Sequence, residues 1–282
     1  MTDLLAGVRT VALTTNLPGP LAASRLRSLG AAVTKIEPLG GDPLQTASSA
    51  WYERVCAGLE VVRLDLKSLA GRERAEAELS AADVLLTTMR PGALERVGLD
   101  WETLHGRFPR LCHVAIVGER APHGDRAGHD LTYQARAGLV APPALPRSVY
   151  ADMLAAESAV TAVLAALYAR ERTGSAAFEE IAIADCARRC ADAVRYGVTS
   201  RDGPLGGALS TYALYASADG WIALAVLEPH FRERLAAALG SDRTDAAWLR
   251  ERFAEHPSAH WDALAERYGI PLAPVAEIAG PA

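Results

Sequence analysis

Two groups of ionisable residues stand close together in one stretch of this chain, RAGHDLTYQARAGLVAPPALPRSVYADMLAAESAVTAVLAALYARERTG (126–174). His129–Asp130 opens the segment DLTYQARAGL, and Asp152 stands at the head of a long run without Gly or Pro. A Pro-rich loop separates the two. Backbone N–H groups at a helix start are unpaired and carry the positive end of the dipole. A His and carboxylates gathered at two such starts can hold or exchange protons near neutral pH, provided burial raises the Asp pKa. The competing reading is that Asp130 and Asp152 are simply caps. Local pattern favours neither.

Other arrangements of reactive residues are weaker. There is no G-x-G-x-x-G after the first strand and no P-loop, so nucleotide binding by those devices is unsupported. His256 and His260 have metal-ligand spacing, but Pro257 lies between them and no further ligands cluster nearby, so no metal site is expected. Cys186 and Cys190 share a helix face without completing a redox or metal motif and read as small buried side chains. No nucleophile elbow surrounds Ser148 or Ser158.

The elements that must position these residues follow from the hydrophobic pattern. VRTVAL (8–13), AAVTKIE (31–37), VVRLDL (61–66), DVLLTT (83–88), LCHVAIVG (111–118) and FEEIAIAD (178–185) read as strands, separated by helical segments. NLPGP (16–20) breaks the chain before the helix LAASRLRSL, and residues 44–58 read as irregular. Strands alternating with helices argue for a parallel sheet covered on both faces. Near residue 203 the pattern changes. RDGPLGGALS reads as a linker, and STYALYASADGWIALAVL reads as a β-hairpin in which Gly220 supplies a positive φ. Three helical segments follow. The expected division is a large domain over 1–202 and a smaller α+β domain over 203–282.

Composition excludes several classes. Of 282 residues, 50% are hydrophobic, enough to bury a large core. A net charge of −5 with only Lys35 and Lys67 as lysines argues against a nucleic-acid partner. No signal peptide or uncharged apolar run of membrane-spanning length is read, so no membrane partner is expected. Four scattered cysteines suit a cytoplasmic protein with reduced thiols.

The order of these stretches resembles the CaiB/BaiF family, the class III CoA-transferase fold. The similar segments are LAGVRTVALTTNLPGPLAASRLRSLGAAVTKIEPLGGDP, LDLKSLAGR, ADVLLTTMRPGALERVGL and the helix of Asp152 with its RERTG end. The resemblance implies a Rossmann-like large domain, a small domain, an interlocked homodimer and a coenzyme A thioester as substrate, with no covalently bound cofactor. It also implies a C-terminal segment returning to the large domain, which is expected to be missing here. RAGHDLTY and GGALSTYALYASADGWIALAVLEPHF further resemble the α-methylacyl-CoA racemase branch. Carried over at matching positions, His129 and Asp152 become the two acid/base residues, flanked by Asp130, and Glu228 becomes the carboxylate paired with His129. The CoA contacts implied are Asn16, Leu17 and Pro18 at the first turn, Leu64 and Lys67, then Thr88, Met89, Arg90 and Arg96. Glu60 stands where relatives carry a cation and is expected to weaken the CoA groove. The first expectation is therefore a racemase or epimerase of a 2-substituted acyl-CoA, or of a carrier-bound acyl thioester. The alternatives are a class III CoA-transferase with Asp152 as nucleophile and a non-catalytic thioester-binding member.

Overall fold

Short runs of Val, Ile, Leu and Thr, each leading into a helix, build the first part of the chain into one parallel sheet. The computed structural model describes residues 3–277. The elements of the first compact unit, Met1–Ala191, are β1 (Arg9–Leu13), α1 (Pro18–Ser28), β2 (Ala32–Glu37), α2 (Pro43–Ala47), α3 (Ser49–Cys56) and β3 (Glu60–Arg63). They continue with α4 (Leu69–Ser80), β4 (Val84–Thr87), α5 (Pro91–Val97), α6 (Trp101–Arg107) and β5 (Cys112–Val117). The last are α7 (Asp130–Ala137), α8 (Tyr150–Thr173), β6 (Phe178–Ala182) and α9 (Ile183–Cys190). All neighbouring strands are parallel, in the order β3-β2-β1-β4-β5-β6. This is the doubly wound Rossmann order.

Both faces of the sheet are covered, so the central strands β4 and β5 are buried along their whole length. On one face α8 lays Ala151, Ala155, Ala159 and Val163 against a core that includes Val114, Ile116, Leu26 and Leu86. The small residues of α8 let its backbone come close to the sheet, and each fully buried Val, Leu or Ile contributes about 1.5–3 kcal/mol. By length and composition α8 could cross a bilayer, but half of its apolar stretch is buried here as a core helix. The other face carries Leu79, Leu94, Leu99 and Leu104 from α4, α5, α6 and their connections.

The second unit, Asp192–Ala282, begins with α10 (Asp192–Arg195) and contains an antiparallel sheet β7-β8-β9. Its strands are β7 (Tyr212–Ala216), β8 (Trp221–Ala225) and β9 (Leu272–Pro274), with α11 (Pro229–Leu239), α12 (Ala246–Ala254) and α13 (Ser258–Tyr268) between β8 and β9. Its core gathers Tyr215, Ile222, Leu224, Phe253 and Trp261. The Trp261 indole N–H donates to the carbonyls of Phe253 (2.9 Å) and His256 (3.1 Å), and the Tyr215 hydroxyl donates to the Ser210 carbonyl (2.7 Å), so both polar side-chain groups of these residues are satisfied. The units divide between Ala191 and Asp192, ahead of the Gly-rich run at 202–207. The position of a C-terminal return segment lies outside the described residues.

Four local expectations are corrected. Residues 44–58 are not irregular but form α2 and α3, because the Asp42 carboxylate caps the first (Leu44 N–H, 3.0 Å) and Ser48 caps the second. Helix α1 starts at Pro18, not after Pro20. Proline suits a first helical turn, whose N–H groups have no intrahelical partner. Gly220 is not among the positive-φ glycines. The hairpin turn is held instead by the Asp219 carboxylate, which accepts from the Ser217 hydroxyl and the Ser258 N–H. Finally, Glu60 does not border a groove at the carboxyl ends of the strands. It opens β3 and lines a cavity with Arg9, Arg27 and Glu78 at the amino ends of β1–β3.

Candidate active site at the carboxyl ends of the strands

The strand order reverses direction between β1 and β4, and open α/β sheets bind ligands in the crevice beyond the carboxyl ends there. Three connections meet at that point: the turn after β1, the turn after β4 and the loop after β5. The first two are fused. Thr15 N–H donates to the Thr88 hydroxyl (3.1 Å), and a Cβ on Gly19 would lie 2.5 Å from both Thr14 Cβ and Thr88 Cγ2. Only glycine fits at that approach. Helix α1 makes a poor pyrophosphate cradle, since Pro18 and Pro20 remove two of its leading N–H groups.

Asn16 stands in the turn after β1 with φ 66°, the only non-glycine residue at positive φ among the described residues. A buried ion network holds it there. The Asp42 carboxylate accepts the Asn16 N–H (2.9 Å) through one oxygen and the Lys35 ammonium (2.8 Å) through the other. Lys35 also pairs with Glu37, whose carboxylate accepts the Tyr52 hydroxyl (2.8 Å). Burial and that carboxylate push the Tyr52 hydroxyl well above its ordinary pKa. Lys35, Glu37 and Asp42 are all buried.

Asp130 and Asp152 have different tasks. One Asp130 oxygen accepts the N–H groups of Ala151 (3.0 Å) and Asp152 (3.1 Å), and the other accepts from the Gln134 amide. Asp130 thus caps α8, the following helix, and not its own. Asp152, on the first turn of α8, is also only 8% exposed, yet no described group hydrogen-bonds its carboxylate. Because Asp130 already occupies the N–H groups at the start of α8, Asp152 gains little from the helix end. Burial, and then the like charge of Asp130, raise its pKa to about 7. Asp130→Asn keeps a capping oxygen and removes the charge, so the Asp152 pKa should fall in a carboxylate titration followed by NMR. An unchanged pKa would contradict the coupling.

Two cavities open beside Asp152. One, about 470 Å³, is lined by Leu17, Leu44, Leu131, Leu145 and Val149 with Arg147. The other, about 240 Å³, is lined by Thr15, Thr88, Arg90, Arg126 and Tyr133. The residues common to both are Asn16, His129 and Asp152. Arg126 pairs with Glu119, whereas Arg90 has no ion-pair partner among the described residues. A cation with no protein counter-ion is suited to an anionic ligand group.

The sequence-predicted residues divide accordingly. His129, Asp130, Asp152, Asn16, Leu17, Pro18, Thr88 and Arg90 line these two cavities. Leu64 and Met89 pack against the core beneath the sheet, and Lys67 and Arg96 are exposed outside both cavities. Glu228 precedes α11 in the second unit, exposed, whereas His129 belongs to the first. Tyr133 was not singled out from the sequence. Its ring is buried, and its hydroxyl lies so close to Gly118 and Gly128 that a Cβ on either would come within 2.3 Å of it. The available signal was those two glycines around a Tyr three residues after Asp130. His256 and His260 stack, with ring centroids 4.1 Å apart, and the described residues hold no cluster of three metal-ligating side chains.

Comparison with known proteins agrees with this architecture. The family model of CoA-transferase family III matches residues 5–281. A succinyl-CoA–D-citramalate CoA-transferase of Chloroflexus aurantiacus is 29% identical over 278 residues, covering 89% of this chain and 68% of the relative. A probable fatty acyl-CoA transferase of Mycobacterium tuberculosis, Rv3272, is 32% identical over 201 residues, covering 65% of this chain and 51% of that protein. The chain thus spans about half to two thirds of the length of these curated relatives. The crystal structure of Rv3272 superposes with a TM-score of 0.82 at 26% identity, over 97% of this chain and 85% of that one. A CaiB/BaiF family protein from Brucella suis, at 24% identity, shows the same fold with a TM-score of 0.82, over 98% of this chain and 85% of its own. On this sequence match and shared architecture, the chain belongs to CoA-transferase family III, the CaiB/BaiF proteins.

Proposed function

We propose that the protein transfers coenzyme A between carboxylic acids, with Asp152 as the nucleophile. The observation that carries this reading is the buried, unpartnered Asp152 carboxylate between the two cavities. The named relatives, which are CoA-transferases, support it over the racemase expectation. An Asp152 oxygen attacks the thioester carbonyl carbon, the C–S bond breaks, and a mixed anhydride and CoA thiolate result. The thiolate then attacks the Asp152 carbonyl carbon, giving an aspartyl thioester and releasing the donor acid as carboxylate. An acceptor carboxylate repeats these two steps in reverse order and leaves as its CoA thioester, restoring Asp152. No net proton is taken up. The aliphatic cavity suits the acyl chain, and Arg90 suits an anionic group of the thioester.

A racemase remains the second reading, because His129 lines both cavities with Asp152, and a carboxyl with a pKa of about 7 can serve as an acid or base. Incubation of a 2-methylacyl-CoA in heavy water, with and without a panel of acceptor acids, separates the two. Transfer to an acceptor without α-deuterium supports the first reading. Deuterium uptake without any acceptor replaces it with the second.

We further propose a homodimer, from the family resemblance and the Gly-rich 202–207 run, with His129 and Glu228 meeting across chains. Light scattering at micromolar concentration should give twice the chain mass. A clean monomer mass would remove both the dimer and the cross-chain pair.

A further inference from the structure

Carbonyl addition at this site puts negative charge on the thioester oxygen, and that oxygen needs a donor. The N–H groups of Ala151 and Asp152 are occupied by Asp130, and the His129 N–H donates to the Thr132 hydroxyl (3.1 Å). At the leading end of α1, Pro18 and Pro20 have no N–H to offer. Among side chains at the waist between the cavities, Asn16 bears a carboxamide for which no hydrogen bond is made within the described residues, and its backbone is fixed from both sides. Asp42 holds its N–H, and the neighbouring Thr15 N–H is tied to Thr88. Asparagine is among the few non-glycine residues that tolerate φ 66°, so the turn keeps its left-handed backbone while presenting a carboxamide at the waist, where glycine would present none.

We propose that the Asn16 carboxamide donates to the thioester carbonyl oxygen opposite Asp152, making Asn16 a catalytic residue and not only the CoA contact that the resemblance implies. This rests on the reading of the site as one that acts on acyl thioesters. It holds equally for acyl transfer and for enolisation, because both place charge on that oxygen. Lys35 and Asp42 then act through Asn16 as positioning residues.

The test uses the full chain and Asn16→Gly, which accepts the left-handed backbone while removing the amide. With propionyl-CoA labelled with ¹³C at the carbonyl, the bound carbonyl resonance should lie downfield in the wild type and return toward its free position in the variant. In turnover, kcat should fall about 100-fold with KM within about threefold, and the melting temperature should not change. An identical bound resonance and an identical kcat in both proteins would overturn the proposal, as would activity lost in Asn16→Ala but kept in Asn16→Gly. A resonance that depends on Asn16 in a wild type showing no acyl transfer keeps the donor and removes the transferase reading. A chain that binds no propionyl-CoA overturns both.

Discussion

Replacing Asp152 by Asn should abolish CoA transfer, by at least about 1,000-fold in kcat, while making the fold more stable above neutral pH. The activity loss follows from replacing the carboxylate that attacks the donor acyl carbon by an amide, which is too weak a nucleophile to form the anhydride. The stability gain follows from the sign of the pKa shift. The folded carboxyl has a pKa of about 7 against an ordinary 3.8, so the fold favours its protonated form. Stability is unaffected below pH 4, is lost as pH rises from 4 to 7, and stays lower above that. The full shift corresponds to an upper figure of about 4 kcal/mol. Asn carries no charge and escapes this cost. Thermal melts should therefore coincide at pH 4, with the variant melting higher at pH 8. A variant melting lower at pH 8 would show that the wild-type carboxylate is stabilised by a partner. In the wild type the transfer rate should rise with pH through about 7 in the free enzyme, as the nucleophile ionises, whereas two-base racemisation should give a bell.

The second large effect lies beneath the site. Lys35→Met removes the cation that separates Glu37 from Asp42 and leaves two buried carboxylates without their counter-ion. Breaking a buried ion cluster from one side typically costs about 3–5 kcal/mol. Urea unfolding at pH 7 should show a loss of that size, smaller near pH 4 where a carboxylate can take up a proton. The turnover defect should exceed what the unfolded fraction explains, because Asp42 also holds Asn16. A loss below about 1 kcal/mol at pH 7 would mean that Arg63, whose guanidinium lies 3.6 Å from Glu37, or water takes over the pairing.

Much of this was legible in the residues themselves. The six parallel strands announce themselves as apolar runs between amphipathic segments, and the long Asp152 helix as a run free of Gly and Pro. His129, Asp130 and Asp152 stood out because carboxylates beside helix starts are chemically distinctive. Their separate tasks were not readable, since capping of α8 by Asp130 depends on α7 folding back beside it. The competing cap reading was therefore right for one Asp and not for the other. Residues 44–58 hid two short helices because their signals are single caps, Asp42 and Ser48, and not a repeating period. Asn16 was marked only through the resemblance, as a CoA contact at the first turn. Its left-handed backbone and its link to Lys35 need β2, the Asp42 turn and β1 side by side. The racemase ranking came from local likeness in two stretches, RAGHDLTY and GGALSTYALYASADGWIALAVLEPHF, whereas the whole-chain match brings in relatives named as transferases.

The most direct measurement asks whether Asp152 becomes covalently acylated. The protein is mixed with an acyl-CoA, treated with hydroxylamine, digested, and the peptide containing Asp152 is weighed. Hydroxylamine converts an activated aspartyl carbonyl, whether anhydride or thioester, to a hydroxamate and leaves a free carboxylate untouched. CoA transfer through Asp152 predicts the hydroxamate mass at that residue in the wild type and its absence in Asp152→Asn. An unmodified Asp152 peptide, recovered while α-deuterium enters the acyl-CoA, would contradict the account.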